Sequence, residues 1–318
     1  MLKSWNFLLV IFFLLTLSAC SNGKQKASET TINGESIEIN TQENGTLTIA
    51  CDDIIFPVID ELTNDFKSMF PNIKVSNILS VTGASLQSLD SEEVDIVCSS
   101  LPENSFNSNQ RTALPLASDV LVLIVNFNHA ELQTLVIHGI SANTLKNIFN
   151  ESTTDWNKVN SAITTSLPLK AYIPPKSSGS ADYLATFTDS KPSDIKISDT
   201  QFEKDVLKNV ESMPISLGFC SHTLAYNFST GFRKSTIYII GTDWNNSGSL
   251  ENNELIWDEL SNLKNAYLKK SIPSGLVRTF SAIYLKESKN TATQHYIDFL
   301  KKSGPLTFEK YGFYNINN

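Results

Sequence analysis

Apolar residues along this chain come in two alternating patterns, short β-branched runs and helical stripes. Residues 46–50 (TLTIA) read as a buried strand that stops at Cys51-Asp52-Asp53. Pro57, tolerated in a first helical turn, then opens a stripe of Val58, Ile59, Leu62, Phe66 and Met69 at helical spacing, ended by Pro71-Asn72. The unit repeats. Residues 73–79 (IKVSNIL) predict a second strand, followed by Thr82-Gly83-Ala84-Ser85 and a short helix. Residues 94–97 (VDIV) predict a third strand, ending at Cys98-Ser99-Ser100. Repeated strand–loop–helix units predict an α/β layer with mainly parallel strands.

Further along, residues 120–125 (VLVLIV) form the most apolar internal run, as expected of a strand buried on both faces. Ser141 is a candidate N-cap for a helix through Leu145, Ile148 and Phe149. Residues 169–173 predict a strand, broken by Pro174-Pro175. It runs into Lys176-Ser177-Ser178-Gly179-Ser180 and a helix over about 181–187. Residues 215–220 (ISLGFC), 236–240 (TIYII) and 277–285 (VRTFSAIYL) predict more strands. Residues 291–302 predict an amphipathic helix with Tyr296, Phe299 and Leu300 inward. No internal repeat is visible.

The N-terminus changes the picture. Lys3 precedes an unbroken apolar run at residues 7–15 (FLLVIFFLL), short for a bilayer span. Leu17-Ser18-Ala19-Cys20 follows, and it resembles the lipobox of bacterial lipoproteins. That resemblance implies acylation of Cys20, removal of residues 1–19 as a signal peptide, and tethering to a membrane on the extracytoplasmic side, in the periplasm or at the cell surface. An ordinary secretory signal or an uncleaved anchor helix are the alternatives. Residues 20–45 are polar, and the expectation is a flexible tether.

With 41% apolar residues in 318, the chain can build a core in one large or two medium domains. The balance of 25 Lys+Arg against 33 Asp+Glu argues against nucleic acid as a partner. An acidic protein can still hold an anion on local amide dipoles. Cys51, Cys98 and Cys220 have neither metal-ligand nor redox spacing, and the four histidines are scattered, so neither metal nor cofactor is expected. Asp52, Asp53 and Asp95 could form an acid/base set. No nucleophile–base motif accompanies them, so an enzyme is the least favoured class.

The loops offer a better candidate. Residues 51–54, 83–85 and 176–180 each follow a predicted strand, carry small polar side chains and precede a predicted helix. Ser99-Ser100 is a fourth polar strand end. Open α/β sheets bind ligands outside the carboxyl ends of their strands, and helix N-termini present unpaired N–H groups. The set describes a pocket for a small oxyanion, although for any one loop ordinary turn and cap chemistry would explain the same residues.

From about Thr46 onward the chain resembles the phosphate-binding proteins that serve ABC transporters, within the periplasmic-binding-protein fold. TIACDDIIFPVIDELTNDF, VDIVCSS, ISANTLKNIFNESTTDW, SSGS, MPISLGFCSHTLAY, PSGLVRTFSAIYL and FLKKSGPLTFEKYGF carry the likeness in order. It implies a two-lobed α/β fold with two hinge crossings, near 120–125 and 277–285. One lobe would comprise 46–118 plus 275–318, the other 119–274. The implied anion contacts are Asp53, Ile54, Ser85, Ser100, Ser178, Gly179 and Ser180, with Asp52, Ser99, Lys176 and Ser177 behind them. Two departures stand out. Asp52-Asp53-Ile54 replaces the usual Ser and Thr of the first loop. Pro174-Pro175-Lys176 lacks the Arg that usually precedes Ser-Gly-Thr, leaving Lys176 as the candidate cation. The implied function is a monomeric solute-binding lipoprotein that delivers phosphate or a similar oxyanion to an ABC permease. A sensor or surface binding module with a changed ligand is the alternative. The fold would also set Cys51 beside Cys98, where two separate buried thiols are favoured over a disulfide, because a bridge tolerates little deviation from its geometry.

Overall fold

The computed structural model describes residues 29–32, 35–80, 82–106, 108–197 and 200–316. The expected signal segment and the expected lipidation site at Cys20 lie outside the described residues.

The first half-sheet is built from the repeated units read above. Strand β1 (Gly45–Cys51) leads into α1 (Phe56–Met69), β2 (Ile73–Leu79), α2 (Thr82–Asp90) and β3 (Ile96–Ser99). β1 lies between β2 and β3, parallel to both, with Cys51 in register with Cys98. Asp95, just before β3, is structural. Its carboxylate accepts from Thr48 N–H and from the Asn290 amide, both at 2.8 Å. The Val94 N–H goes to Ser88 C=O of α2 at 3.2 Å and not to the sheet, so the strand starts at Ile96 and not at Val94 as the apolar pattern suggested.

The next strand is far longer than its apolar run. β4 spans Arg111–Asn126, 16 residues, because RTALPLASD extends it N-terminally. Over Arg111–Val120 it pairs antiparallel with β8 (Val277–Leu285), and the register slips between Phe280 and Ser281, opposite Pro115–Ala117. Pro115 is tolerated there because this part of β4 is a sheet edge with a bulge. Over Leu121–Asn126 the same strand pairs with β6 (Ser216–Ser221) and β7 (Ile237–Ile240), and β5 (Lys170–Tyr172) adds parallel to β6. The strand order is β2-β1-β3-β8-β4-β6-β5, with β7 on the far part of β4.

Helices α3 (Ser180–Phe187), α4 (Glu203–Ser212) and α5 (Thr291–Lys310) complete the frame around the site. Ser141 caps the helix Ala142–Phe149 as expected, its hydroxyl accepting from Thr144 N–H at 3.2 Å. The helices Glu203–Ser212 and Leu260–Leu268 carried no expectation, and α5 runs on through Pro305 to Lys310.

Buried apolar side chains gather in two large clusters. One holds Leu47 to Ala117 together with Phe280 to Phe313, the other Val120 to Leu276 with Tyr314. β4 passes from one to the other between Ala117 and Val120. The C-terminal tail makes a further link, because Tyr314 exchanges two backbone hydrogen bonds with Ser118, at 2.7 and 2.8 Å, between Phe313 in one core and Tyr314 in the other. Residues 29–38, expected as flexible tether, contain an antiparallel ribbon of Glu29–Ile32 with Glu35–Glu38. Asn40 N–H then bonds Met69 C=O at 2.8 Å, which ties this segment to the end of α1.

α5 is held to α1 by an aromatic cluster. Phe66, fully buried, packs edge-on to Tyr296 at 5.0 Å and Phe299 at 5.6 Å. Phe66→Ala is expected to cost about 3–5 kcal/mol in urea denaturation. A loss below about 1 kcal/mol would contradict this packing.

Candidate functional site

The carboxyl ends of β1 and β3 face the N-termini of α3 and α4, and the loops there close on each other. Asp52, 4% exposed, turns its carboxylate to the Ser100 N–H at 3.1 Å and joins the first and third strand ends. The Ser100 hydroxyl donates to the Ser178 carbonyl across the interface between the two halves. Gly179 is required at that contact. Its φ is +82°, and a Cβ there would sit 2.6 Å from the Ser100 carbonyl oxygen. Ser178 Oγ donates to Pro175 C=O at 2.7 Å and lies 3.1 Å from Ser180 Oγ. Asp52, Asp53, Ser80, Pro175, Ser178, Gln201 and Phe202 line a small open pocket of about 10 Å³, room for a single water.

Beneath these loops lies a fully buried ion cluster. Arg278 of β8 and Asp119 of β4 are register partners on the two crossing strands. The Arg278 Nε and Nη2 groups donate to Asp119 at 2.9 and 2.5 Å. Nη1 and Nη2 donate to Glu203 at 2.7 and 3.0 Å, and Nη1 also donates to Ser180 Oγ at 2.9 Å. Glu203 Oε1 further accepts the Ser221 N–H at 2.6 Å. Burial pushes the Glu203 carboxyl up to about 7; Arg278 pulls it down, and Asp119 and Asp53 add to the rise. Asp53 is also raised, by burial first, while the N–H groups of Glu203 and Lys204 and the charge of Arg278 hold it down.

Most of the expected site residues come together here: Asp52, Asp53, Ser99, Ser100, Ser178, Gly179 and Ser180. Ser85 lies slightly apart, its hydroxyl 2.6 Å from that of Ser80, which lines the cavity. Ile54 packs its side chain against the core under α1. Lys176 and Ser177 sit in the 3-10 turn Lys176–Ser178 and are half-buried. A buried cation that the sequence reading did not single out, Arg278, lies next to the Ser178–Ser180 loop. Sequence reasoning also missed Asp119 and Glu203. A charged residue inside VRTFSAIYL, and another directly before VLVLIV, were the available signals; nothing in the local pattern marked Glu203. Cys51 and Cys98 are separate buried thiols, both pushed up by burial.

The model of the PBP superfamily domain matches residues 36–300. The chain belongs to the PBP superfamily. Among solved structures, this PBP-superfamily chain is similar to a putative phosphate ABC transporter substrate-binding protein with bound phosphate from Clostridium perfringens. There the TM-score is 0.64 at 15% identity, over 85% of this chain and 99% of that one. An ABC-type phosphate transport receptor from Vibrio cholerae gives a TM-score of 0.61 at 18% identity, over 85% and 99%. Protein SphX of Synechococcus elongatus is 28% identical over 140 residues, which span 41% of this chain and only 40% of that protein. The two-lobed fold expected from the sequence is borne out.

The raised Glu203 carboxyl makes a pH prediction. A carboxyl whose folded pKa lies above its unfolded value contributes stability that is present below the unfolded pKa and lost as pH rises through the folded one. For Glu203 that window runs from about 4.5 to about 7. Glu203→Gln is therefore expected to gain melting temperature relative to wild type as pH rises from 5 to 7.5. A constant difference across that range would show that Glu203 does not titrate there.

Proposed function

We propose that this protein captures phosphate, or a similar protonated oxyanion, between its two lobes and delivers it to an ABC permease. The observation that carries the reading is the convergence of strand ends from one half with helix N-termini from the other, at the Ser100–Ser178 contact. Two similar folds, one carrying phosphate and one described as a phosphate transport receptor, support the same ligand class. The proposed contacts are Asp53, Ser85, Ser100, Ser178, Gly179 and Ser180, with Asp52, Ser99, Lys176 and Ser177 behind them. Ile54 would contribute through its backbone. The lobes, 46–118 with 275–318 and 119–274, move about β4 and β8. The ligand is held in the closed form.

A carboxylate beside an anion costs binding energy unless the ligand offers a proton. Phosphate near neutral pH retains one, and sulfate has none. Isothermal calorimetry should show phosphate binding to wild type and no sulfate binding, with part of that preference lost in Asp53→Asn. Equal binding of both anions, or of neither, would overturn the phosphate reading. It would favour a binding module with a changed ligand, a reading that the acidic first loop supports.

Membrane tethering through Cys20 completes the proposal. It rests on the Leu17-Ser18-Ala19-Cys20 pattern. Cys20→Ala should move the protein from the membrane to the soluble fraction, or leave an uncut precursor. Wild-type fractionation and migration of that variant would rule the anchor out.

A further inference from the structure

Asp53 belongs to one half of the molecule and spends its carboxylate on the other. It leaves the turn between β1 and α1, and Oδ2 accepts from Lys204 N–H at 3.4 Å. The Glu203 N–H also favours its ionised form. Both are first-turn groups of α4. That helix needs an outside acceptor, because its N-cap is Phe202, whose ring accepts nothing from the first turn, and no side-chain cap bond is made there. Asp205 of the same helix turns back to Phe202 N–H at 3.2 Å and so serves the residue before the first turn. Unpaired first-turn N–H groups carry the positive end of the helix dipole and favour a negative charge beside them.

The remaining charges around Asp53 pull both ways. Arg278 and Lys204 attract it, and its charge reaches the Glu203 carboxyl. Asp119 is held on Arg278. Asp52, next in the chain, is committed to Ser100 N–H. With Asp53 in place, the cavity against Ser178 and Phe202 keeps only about 10 Å³. A tetrahedral oxyanion needs several times the room of one water, more than that pocket offers as it stands.

We propose that the Asp53 carboxylate is a tethered substitute for the ligand, which seats itself on the start of α4, holds the lobes closed, and must be displaced when an anion enters. The displacement step rests on the reading that the cleft takes an oxyanion; the closure does not. A group tethered a few bonds from its seat acts at an effective concentration in the millimolar range or above, so a free anion competes against it at a disadvantage. A ligand that carries a proton recovers part of that loss by donating to the displaced carboxylate, and one without a proton recovers nothing.

The test uses the purified full chain without added anion, as wild type, Asp53→Ala and Asp53→Ser. Small-angle X-ray scattering reads lobe separation, and hydrogen exchange reads the Lys204 amide. Wild type should scatter as a compact particle that changes little with phosphate. Both variants should expand, exchange the Lys204 amide at least about tenfold faster, and gain about tenfold in sulfate affinity. Variants that stay as compact and as protected as wild type overturn the proposal, whatever anions they bind. Variants that open while no form of the protein binds phosphate or sulfate uphold closure by Asp53 and sink the phosphate reading instead.

Discussion

The Arg278 guanidinium is the constraint on which the cleft depends. It has five N–H donors, and five bonds use them: two to Asp119, two to Glu203 and one to Ser180. Arg278 itself lies on β8, and its partners come from three further places, the crossing strand β4, the first residue of α4 and the first residue of α3. One planar group thus fixes the angle between both crossing strands and both helix N-termini. A Lys would supply a point charge and three donors and could not hold that geometry. Removing the guanidinium would strand two buried carboxylates, a change that typically costs about 3–5 kcal/mol.

The same cluster explains the charge state of the floor. Two carboxylates share one guanidinium without exposure to solvent, and Asp53 brings a third negative group nearby. Burial favours neutral forms, and a proton on one of these carboxyls is the cheapest way to balance the charge. Burial raises both Glu203 and Asp53, and for Glu203 the neighbouring Asp119 and Asp53 carboxylates add to the rise. Closure as proposed, by removing water, would favour protonation of the floor.

Much of this was legible in the sequence, for physical reasons that can be named. β2 and β8 matched their apolar runs residue for residue, because both are bounded by polar turns. Ser141 announced its helix because capping is local chemistry. β4 was read as six residues and not sixteen because half of it is an edge with a bulge, where Pro115 and polar residues are allowed. α4 went unseen, since its Phe202 N-cap gives no start signal and its acceptor is supplied by Asp53 from across the cleft. The strand-end serines were found because turn residues advertise themselves. Arg278, Asp119 and Glu203 lie 159 and 75 residues apart from one another along the chain, and no local pattern records a pairing made only by the fold.

The full use of Arg278 also decides how an anion can be held. Each of its N–H groups is committed, so it cannot turn a fork toward a ligand without abandoning Asp119, Glu203 or Ser180. Its charge still reaches Asp53 through the low-polarity floor, and it reaches a ligand in the same place by the same route. Direct contacts must then come from backbone N–H groups and hydroxyls of the converging loops, which are neutral and directional. Such a seat discriminates by where protons lie on the ligand more than by how much charge it carries. A negative group that enters it raises the proton affinity of Glu203 and of any displaced Asp53. On the proposed function, anion capture would be tied to proton uptake, and the acidic first loop that departs from the usual Ser and Thr would be what ties them.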